Sequence, residues 1–186
     1  MGPQGERIVY GDYTWERLPG RSATRVLALG SVRAFPAYSG VLVGGGARIG
    51  SDLLPLHAWA IDMMVESGTI GTSRGVPLNV DNWSLGATLS LVSELRRNFM
   101  ARAGAGLRAG LTRGTDVGSG SRVNFPVFWG WPMLALSVSG RFGDVAVELG
   151  AEGGYATLPE GPGSGNSARG VWLNAQLGIG LALGQR

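Results

Sequence analysis

The C-terminal segment, residues 171–183, alternates strictly between apolar residues and small or polar ones. Its apolar positions are Val171, Leu173, Ala175, Leu177, Ile179, Leu181 and Leu183. Because successive side chains of a strand point to opposite faces, the segment is predicted to be a β-strand with one continuous apolar face. A strand in a soluble sheet usually has about five or six residues, whereas one tilted across a bilayer needs about 9–11. Length and alternation together predict a transmembrane strand.

Seven further segments alternate in the same way, which gives eight predicted strands. The other seven are residues 24–35, 39–49, 57–67, 83–92, 99–111, 125–139 and 145–155. In the first of them, the assignment of inward and outward faces is ambiguous. An even number of alternating strands is typical of a bacterial outer-membrane barrel.

The connections between these segments differ in length in a regular way. Residues 68–82, 112–124 and 157–169 form long connections rich in Gly, Ser, Pro and Asn, whereas residues 50–55, 93–98 and 140–144 form tight ones. Outer-membrane barrels have short periplasmic turns and longer extracellular loops. Only the first extracellular connection, residues 36–38, is unexpectedly short. The chain is therefore predicted to be all-β, with an eight-stranded antiparallel up-and-down transmembrane β-barrel over residues 24–186.

The composition agrees with a narrow barrel. Glycine accounts for 33 of the 186 residues, far above the usual share of about 7%, and many glycines lie inside the alternating segments, where a packed lumen has little room. All basic residues are Arg, and there is no Cys. The alternative is a soluble lipocalin-like barrel, which also alternates but would carry a charged outer face. The arginines are scattered, so no nucleic-acid partner is expected.

The pattern resembles the small eight-stranded outer-membrane barrels typified by the OmpA transmembrane domain and OmpX. The resemblance covers residues 24–183 and is architectural. One local motif adds to it: the C-terminal insertion signal of this group is matched by Gln176, Gly178, Leu181 and Leu183. The resemblance implies that the bacterial barrel-assembly machinery recognises this strand. The chain departs from the group in ending on Leu183 rather than an aromatic residue, followed by three more residues.

The N-terminal residues precede the predicted barrel. Residues 1–7 lack the apolar core of a signal peptide, so we expect a mature form or the C-terminal part of a longer precursor. Residues 1–23 are then predicted to be a periplasmic N-terminal extension or the end of a lost domain, and a disordered tail is an equally good interpretation.

The polar face of the predicted strands carries a few charges of both signs. They are Arg48, Asp62, Glu66, Arg102, Arg108, Glu148 and Glu152. In a narrow lumen each charge would be costly unless it were paired. We therefore expect at least one Arg–Glu contact across the lumen. A static plug that holds the strands in register is favoured over a gate in which exchanging ion pairs opens a pore.

No catalytic or metal-binding set is apparent. His57 is the only histidine; it shares a face with Trp59, and no nucleophile is placed within reach of it. We therefore expect a membrane-interface histidine, no enzymatic activity, no cofactor and no metal site.

Most aromatic residues lie towards the predicted strand ends, as in interfacial girdles. They are Phe35, Tyr38, Trp59, Trp83, Phe99, Phe125, Phe128, Tyr155 and Trp172. Trp129 and Trp131 share the predicted lumenal face. Either these two residues line the pore mouth, or a bulge around residues 130–132 changes which residues face the lumen. We favour the bulge, since Pro132 cannot donate a ladder hydrogen bond.

The sequence thus predicts a monomeric structural module or anchor of the bacterial outer membrane, embedded in lipid and lipopolysaccharide and exposing its loops. The alternatives are a narrow gated channel for ions or small solutes and a soluble binder of apolar ligands.

Overall fold

The computed structural model describes residues 7–10, 13–16, 24–54, 57–71, 77–96, 98–119, 122–158 and 168–184. Within the predicted N-terminal extension, β1 (Arg7–Tyr10) and β2 (Tyr13–Glu16) form a two-stranded sheet of their own. The remainder of residues 1–23 lies outside the described residues.

Eight long strands form a closed barrel. They are β3 (Thr24–Phe35), β4 (Gly40–Leu54), β5 (His57–Ile70), β6 (Leu78–Arg96), β7 (Phe99–Asp116), β8 (Arg122–Phe142), β9 (Val145–Leu158) and β10 (Ala168–Leu183). Each strand pairs antiparallel with its sequence neighbours, and β10 closes the barrel on β3. The predicted eight-stranded up-and-down barrel is confirmed. We call the end where β3 begins and β10 finishes the inner end, and the opposite end the outer end.

The alternation places apolar side chains outside and polar ones inside. On β10, the outward residues Leu177 and Ile179 are 55% and 59% exposed. Asn174 and Gln176, which alternate with the outward residues, are buried. The other strands follow the same rule, with Leu85, Leu107 and Leu134 among the exposed residues. A water-soluble barrel would bury such side chains, because each contributes about 1.5–3 kcal/mol when removed from water. The exterior is therefore suited to a hydrocarbon environment.

At the outer end, the strands run further than the alternation of apolar residues predicts. β5 and β6 stay paired as far as Ile70 and Leu78, and polar pairs occupy these rows: Ser67 donates to Asp81 over 2.7 Å and Thr69 to Asn79 over 3.0 Å. The backbone hydrogen bonds between β5 and β6 therefore continue beyond the outward apolar residues, into rows whose side chains are polar. The connections at this end are consequently shorter than predicted.

The first outer connection is a single turn of 3₁₀-helix at Pro36–Tyr38. Ser39 ends it in the left-handed region at φ 49°, and its N–H reaches the Pro36 carbonyl at 3.5 Å. This tight reversal explains how residues 36–38 suffice to join β3 to β4. Within the described part of the chain, no helix has the length and apolarity needed to cross a membrane.

The bulge predicted around residues 130–132 is wrong. β8 pairs with β7 in continuous register through this region, with Gly130, Trp131 and Pro132 opposite Ala109, Arg108 and Leu107. Trp131 is 2% exposed and faces the lumen, whereas Pro132 faces outwards. The register instead shifts between Thr112 and Gly114. The side chain of Trp129 lies outside what the structure describes.

Candidate functional site

A network of ion pairs fills the middle of the lumen, and we call it the charged layer. Its members are Arg25, Arg33, Arg48, Asp62, Glu66, Arg102, Arg108, Glu148 and Glu152. All seven charges predicted from the sequence lie in it. They come from β4, β5, β7 and β9, which surround the lumen, so closure of the barrel brings them together.

Arg48 on β4 is the most connected side chain of the layer. Its guanidinium nitrogens lie 2.7 Å from Glu148, 3.0 Å from Glu152 and 3.1 Å from Asp62. It also donates to Gln176 Oε1 over 2.7 Å. Because β4 and β9 are separated by β3 and β10, the contacts with the two glutamates span the lumen.

Arg108 on β7 is a second centre and is fully buried. Its Nη2 lies 2.9 Å from Glu152 Oε2 and 2.8 Å from Asp62 Oδ1, and its Nη1 donates to Ser84 Oγ over 3.2 Å. Asp62 and Glu152 are thus each shared by Arg48 and Arg108. Shared charge-assisted hydrogen bonds of this kind offset the desolvation cost of burying four ionised groups.

Within the charged layer, Glu66 has its own set of partners nearer the outer end. Arg33 Nε lies 3.1 Å from its carboxylate, and Ser31 and Asn82 each donate to it over 3.0 Å. Thr112 in turn donates to Asn82 Oδ1 over 3.0 Å. Glu66 therefore accepts hydrogen bonds from two strands, β3 and β6.

Arg102 lies at the inner side of the charged layer. Its Nη1 is 3.9 Å from Glu148 Oε2, and it donates to Ser139 Oγ over 2.6 Å. The Arg102–Glu148 contact is therefore longer than the pairs made by Arg48 and Arg108. The residues brought together most closely are those at mid-lumen.

Sequence reasoning missed Arg25 and Arg33, both on β3. It also left Asn82 in a connection, and it placed Asn174 and Gln176 on the polar face of the last strand without a hydrogen-bonding role there. The signal for the two arginines was available, because Arg25, Ser31 and Arg33 share one parity. Leu27 and Leu29 have the same parity and fill space in the lumen. Because these apolar residues alternate in step with the arginines, the sequence of β3 does not show which of its faces is inward.

Above the charged layer, an apolar cluster closes the outer end of the lumen. We call it the outer plug; it consists of Phe35, Leu42, Ile70, Leu78, Val80, Trp131, Met133, Ala156 and Trp172. The ring of Trp131 lies 6.2 Å from Phe35 in an edge-to-face arrangement and 5.9 Å from Trp172. The Arg33 guanidinium stacks 4.7 Å from the Trp172 ring, which couples the plug to the charged layer.

The outer plug corrects part of the predicted aromatic girdle. Phe35 and Trp172 are 4% and 0% exposed and point into the lumen, because each lies at an inward parity near a strand end. Trp83, Phe99 and Tyr155 do face outwards. The side chains of Tyr38, Phe125 and Phe128 fall outside the described residues.

The remaining predicted positions are His57 and the residues of the insertion signal on β10. His57 is exposed at the start of β5. In the part of the chain that the structure describes, no group of three or more His, Cys, Asp or Glu side chains could hold a metal ion. On β10, Gln176 and Gly178 of the predicted insertion signal face the lumen, whereas Leu181 and Leu183 face outwards.

A closed eight-stranded antiparallel barrel, apolar outside and ion-paired inside, has the architecture of the small outer-membrane β-barrels. No family model matches the chain, and no curated protein matches its sequence. Solved structures do. Neisserial surface protein A (NspA) superimposes with a TM-score of 0.57 at 14% identity, over 88% of this chain and 97% of that one.

A second match is Ail, the attachment invasion locus protein of Yersinia pestis. It superimposes with a TM-score of 0.53 at 11% identity, over 89% of this chain and 100% of that chain. Its complex with the heparin analogue sucrose octasulfate gives 0.52 at 10% identity. At these identities the likeness establishes the fold, that of an eight-stranded outer-membrane barrel.

Proposed function

We propose that this protein is a monomeric, non-enzymatic barrel of the bacterial outer membrane that serves as a structural envelope module or anchor and exposes its outer loops. The outward leucines and valines support insertion in lipid, because the closed ladder leaves no backbone edge to satisfy in hydrocarbon. Lipopolysaccharide would surround the outer part of the barrel.

The observation that carries a structural role is the filling of the lumen in two successive layers. The charged layer spans the middle of the barrel, where the ion pairs made by Arg48 and Arg108 measure 2.7–3.1 Å. The outer plug lies above it with its two tryptophans 2% and 0% exposed. A solute crossing the barrel would have to displace both layers, so we infer a sealed barrel.

The gated-channel alternative has one feature in its favour. Arg48 is shared by Asp62, Glu148 and Glu152, so it can exchange one carboxylate for another without losing all its partners. Such an exchange leaves Trp131 and Trp172 in place above it. A gate would therefore need a second movement in the outer plug, which makes the channel the weaker proposal.

The lipocalin-like alternative requires an apolar cavity. The lumen of the described barrel is instead occupied by ion pairs and packed aromatic rings, and the large apolar side chains are on the outside. This distribution favours a membrane barrel over a soluble binder.

Membrane insertion is tested by folding the full chain into detergent or lipid vesicles and comparing gel migration with and without boiling. We expect a compact folded band that shifts on heating, together with protection of the barrel from protease. A monodisperse monomer that is folded without detergent would contradict the proposal.

Assembly by the barrel-assembly machinery also belongs to the proposal, supported by Leu181 and Leu183 on the outward face of β10. Leu183→Asn should reduce the acceleration that purified machinery gives to folding into vesicles. Leu173→Asn, outward on the same strand but outside the signal, should retain that acceleration. Equal acceleration for wild type and Leu183→Asn would remove the machinery from the proposal.

A further inference from the structure

The N-terminal hairpin of β1 and β2 has two chemically different faces. Its register places Ile8 opposite Trp15 and Tyr10 opposite Tyr13. Directly opposite residues of an antiparallel pair lie on one face of the sheet, and the residues between them lie on the other. One face therefore combines Ile8 with three aromatic residues. The other face consists of Arg7, Val9, Thr14 and Glu16.

An amphipathic hairpin of this size needs a surface to cover. Among the strands that the structure describes, β1 and β2 form a sheet of their own, separate from the barrel. A two-stranded hairpin alone is at best marginally stable in water, because it has no second layer against which to bury its apolar face. Tyr and Trp combine an apolar ring with a polar group and are enriched at membrane–water interfaces. The composition of this face therefore fits a lipid headgroup surface.

The connection to the barrel keeps the hairpin close to such a surface. Residues 17–23 separate β2 from β3, and seven residues span at most about 25 Å. β3 begins at Thr24, which pairs with Leu183 in the strand register, and Leu183 is 54% exposed on the outward face. The chain thus enters the barrel at the inner border of its lipid-facing surface, and the hairpin is within reach of the lipid headgroups there.

The barrel itself lacks aromatic residues on this side. At the inner end, Phe99 on β7 and Phe142 on β8 are 39% and 57% exposed, with ring centroids 6.0 Å apart, as in an interfacial girdle. The adjacent strands β9, β10, β3 and β4 have no Phe, Tyr or Trp over residues 145–154, 173–183, 24–34 and 40–54. The hairpin is tethered to β3, within this half of the barrel, and can supply the aromatic residues that the girdle lacks.

We propose that the N-terminal hairpin is an interfacial anchor. The face formed by Ile8, Tyr10, Tyr13 and Trp15 lies on the lipid headgroups at the inner end, beside β9, β10, β3 and β4, and completes the girdle. The opposite face stays in water. This inference rests on the proposed insertion of the barrel in a membrane.

Spin labels test which surface the hairpin covers. The chain has no cysteine, so single cysteines can carry a nitroxide in the full chain folded into phosphatidylcholine vesicles. Oxygen relaxes labels in lipid, and a nickel chelate relaxes labels in water. We expect oxygen to dominate at Ile8→Cys and Trp15→Cys, and the nickel chelate to dominate at Val9→Cys and Thr14→Cys.

Two results of this experiment would overturn the anchor. The first is relaxation by the nickel chelate at all four positions, as in a tail free in water. The second is protection of positions 8 and 15 from both reagents, because the aromatic face would then cover protein, either the mouth of the barrel or a second copy of the chain.

A label at Leu177→Cys, outward at mid-barrel, separates the anchor from membrane insertion. If oxygen dominates at position 177 but not at position 8, the anchor alone fails. If the nickel chelate dominates at position 177, the proposed insertion fails and the anchor fails with it.

Substitutions then test whether the aromatic residues hold the hairpin on the lipid. With the label at Ile8→Cys, the pair Tyr13→Ser and Trp15→Ser should shift the label from lipid to water. The matched pair Val9→Ser and Thr14→Ser, on the opposite face, should leave the label in lipid. A label that stays in lipid after loss of Tyr13 and Trp15 would contradict the anchor.

Discussion

The lumen of this barrel is filled in two chemically opposite ways. At the outer end, Phe35, Trp131 and Trp172 pack with aliphatic side chains into the outer plug. At mid-lumen, Arg48 and Arg108 are held between carboxylates in the charged layer. Both regions are built from inward-facing positions of the barrel strands, and β3, β4, β5 and β9 contribute to both. The comparison therefore isolates the effect of side-chain chemistry from that of the fold.

The two fillings place different demands on the sequence. An apolar plug needs matching volume, and removing part of it leaves a cavity. A buried charged layer needs specific partners, because a charge that loses its partner in the lumen keeps its desolvation cost. We expect the charged layer to tolerate substitution less well than the outer plug.

The largest effect is expected for Arg108→Met. The substitution leaves Asp62 and Glu152 with only Arg48 between them, so we expect the free energy of unfolding to fall by about 3–5 kcal/mol. Urea unfolding in lipid vesicles measures it. Arg113→Met on the exterior of the same strand removes a cation–π contact with Trp83 at 5.4 Å and should cost less than about 1 kcal/mol. Equal losses in the two variants would show that the charged layer contributes no specific stability.

A smaller loss is expected in the outer plug. Leu42→Ala removes a side chain that is 2% exposed and should lower the free energy of unfolding by about 3 kcal/mol, through lost burial and the residual cavity. Val41→Ala is the matched control, because its side chain faces lipid, which can fill the space. A loss for Leu42→Ala no greater than that for Val41→Ala would mean that the plug is loosely packed.

The smallest effect tests how closely the charged layer is fitted. Gly86 lies between Asp62 and Arg108 in the strand register, and a Cβ there would come within 2.7 Å of Arg108 Nη2 and 3.0 Å of Asp62 Oδ1. Gly86→Ala should therefore destabilise the barrel by about 1–2 kcal/mol. Gly30→Ala, on the outward face with nothing within 4 Å, should be close to neutral. A neutral Gly86→Ala would show that the ion pairs shift without cost.

Much of this arrangement follows from the sequence. The two-residue period predicts which side chains face outwards on seven strands, and it places Arg48, Asp62, Arg108 and Glu152 on the inward face. Barrel closure then limits where the charges can go, because an unpaired charge in a narrow lumen is too costly. The fold and the presence of a lumenal charge network were therefore predictable.

The outer plug was not predictable by the same reasoning. Phe35 and Trp172 lie near strand ends, where an interfacial girdle and a lumenal plug use the same aromatic residues. Trp131 was assigned to a bulge because Pro132 was expected to interrupt the ladder, yet Pro132 is accommodated at an outward position opposite Leu107. The two-residue period cannot distinguish a lumenal aromatic residue from a lipid-facing one when both faces of a strand carry apolar residues. The same difficulty arises on β3, where Leu27 and Leu29 lie on the inward face.

The central claim is that the two layers together seal the barrel, and planar-bilayer recording of the purified full chain tests it most directly. We predict no conductance steps from wild type at any voltage that the bilayer withstands, and none from Glu148→Gln or Arg102→Gln, since the outer plug remains in both. Reproducible conductance steps from wild type that change in size or frequency in Glu148→Gln would contradict the sealed barrel and establish the gated channel in its place.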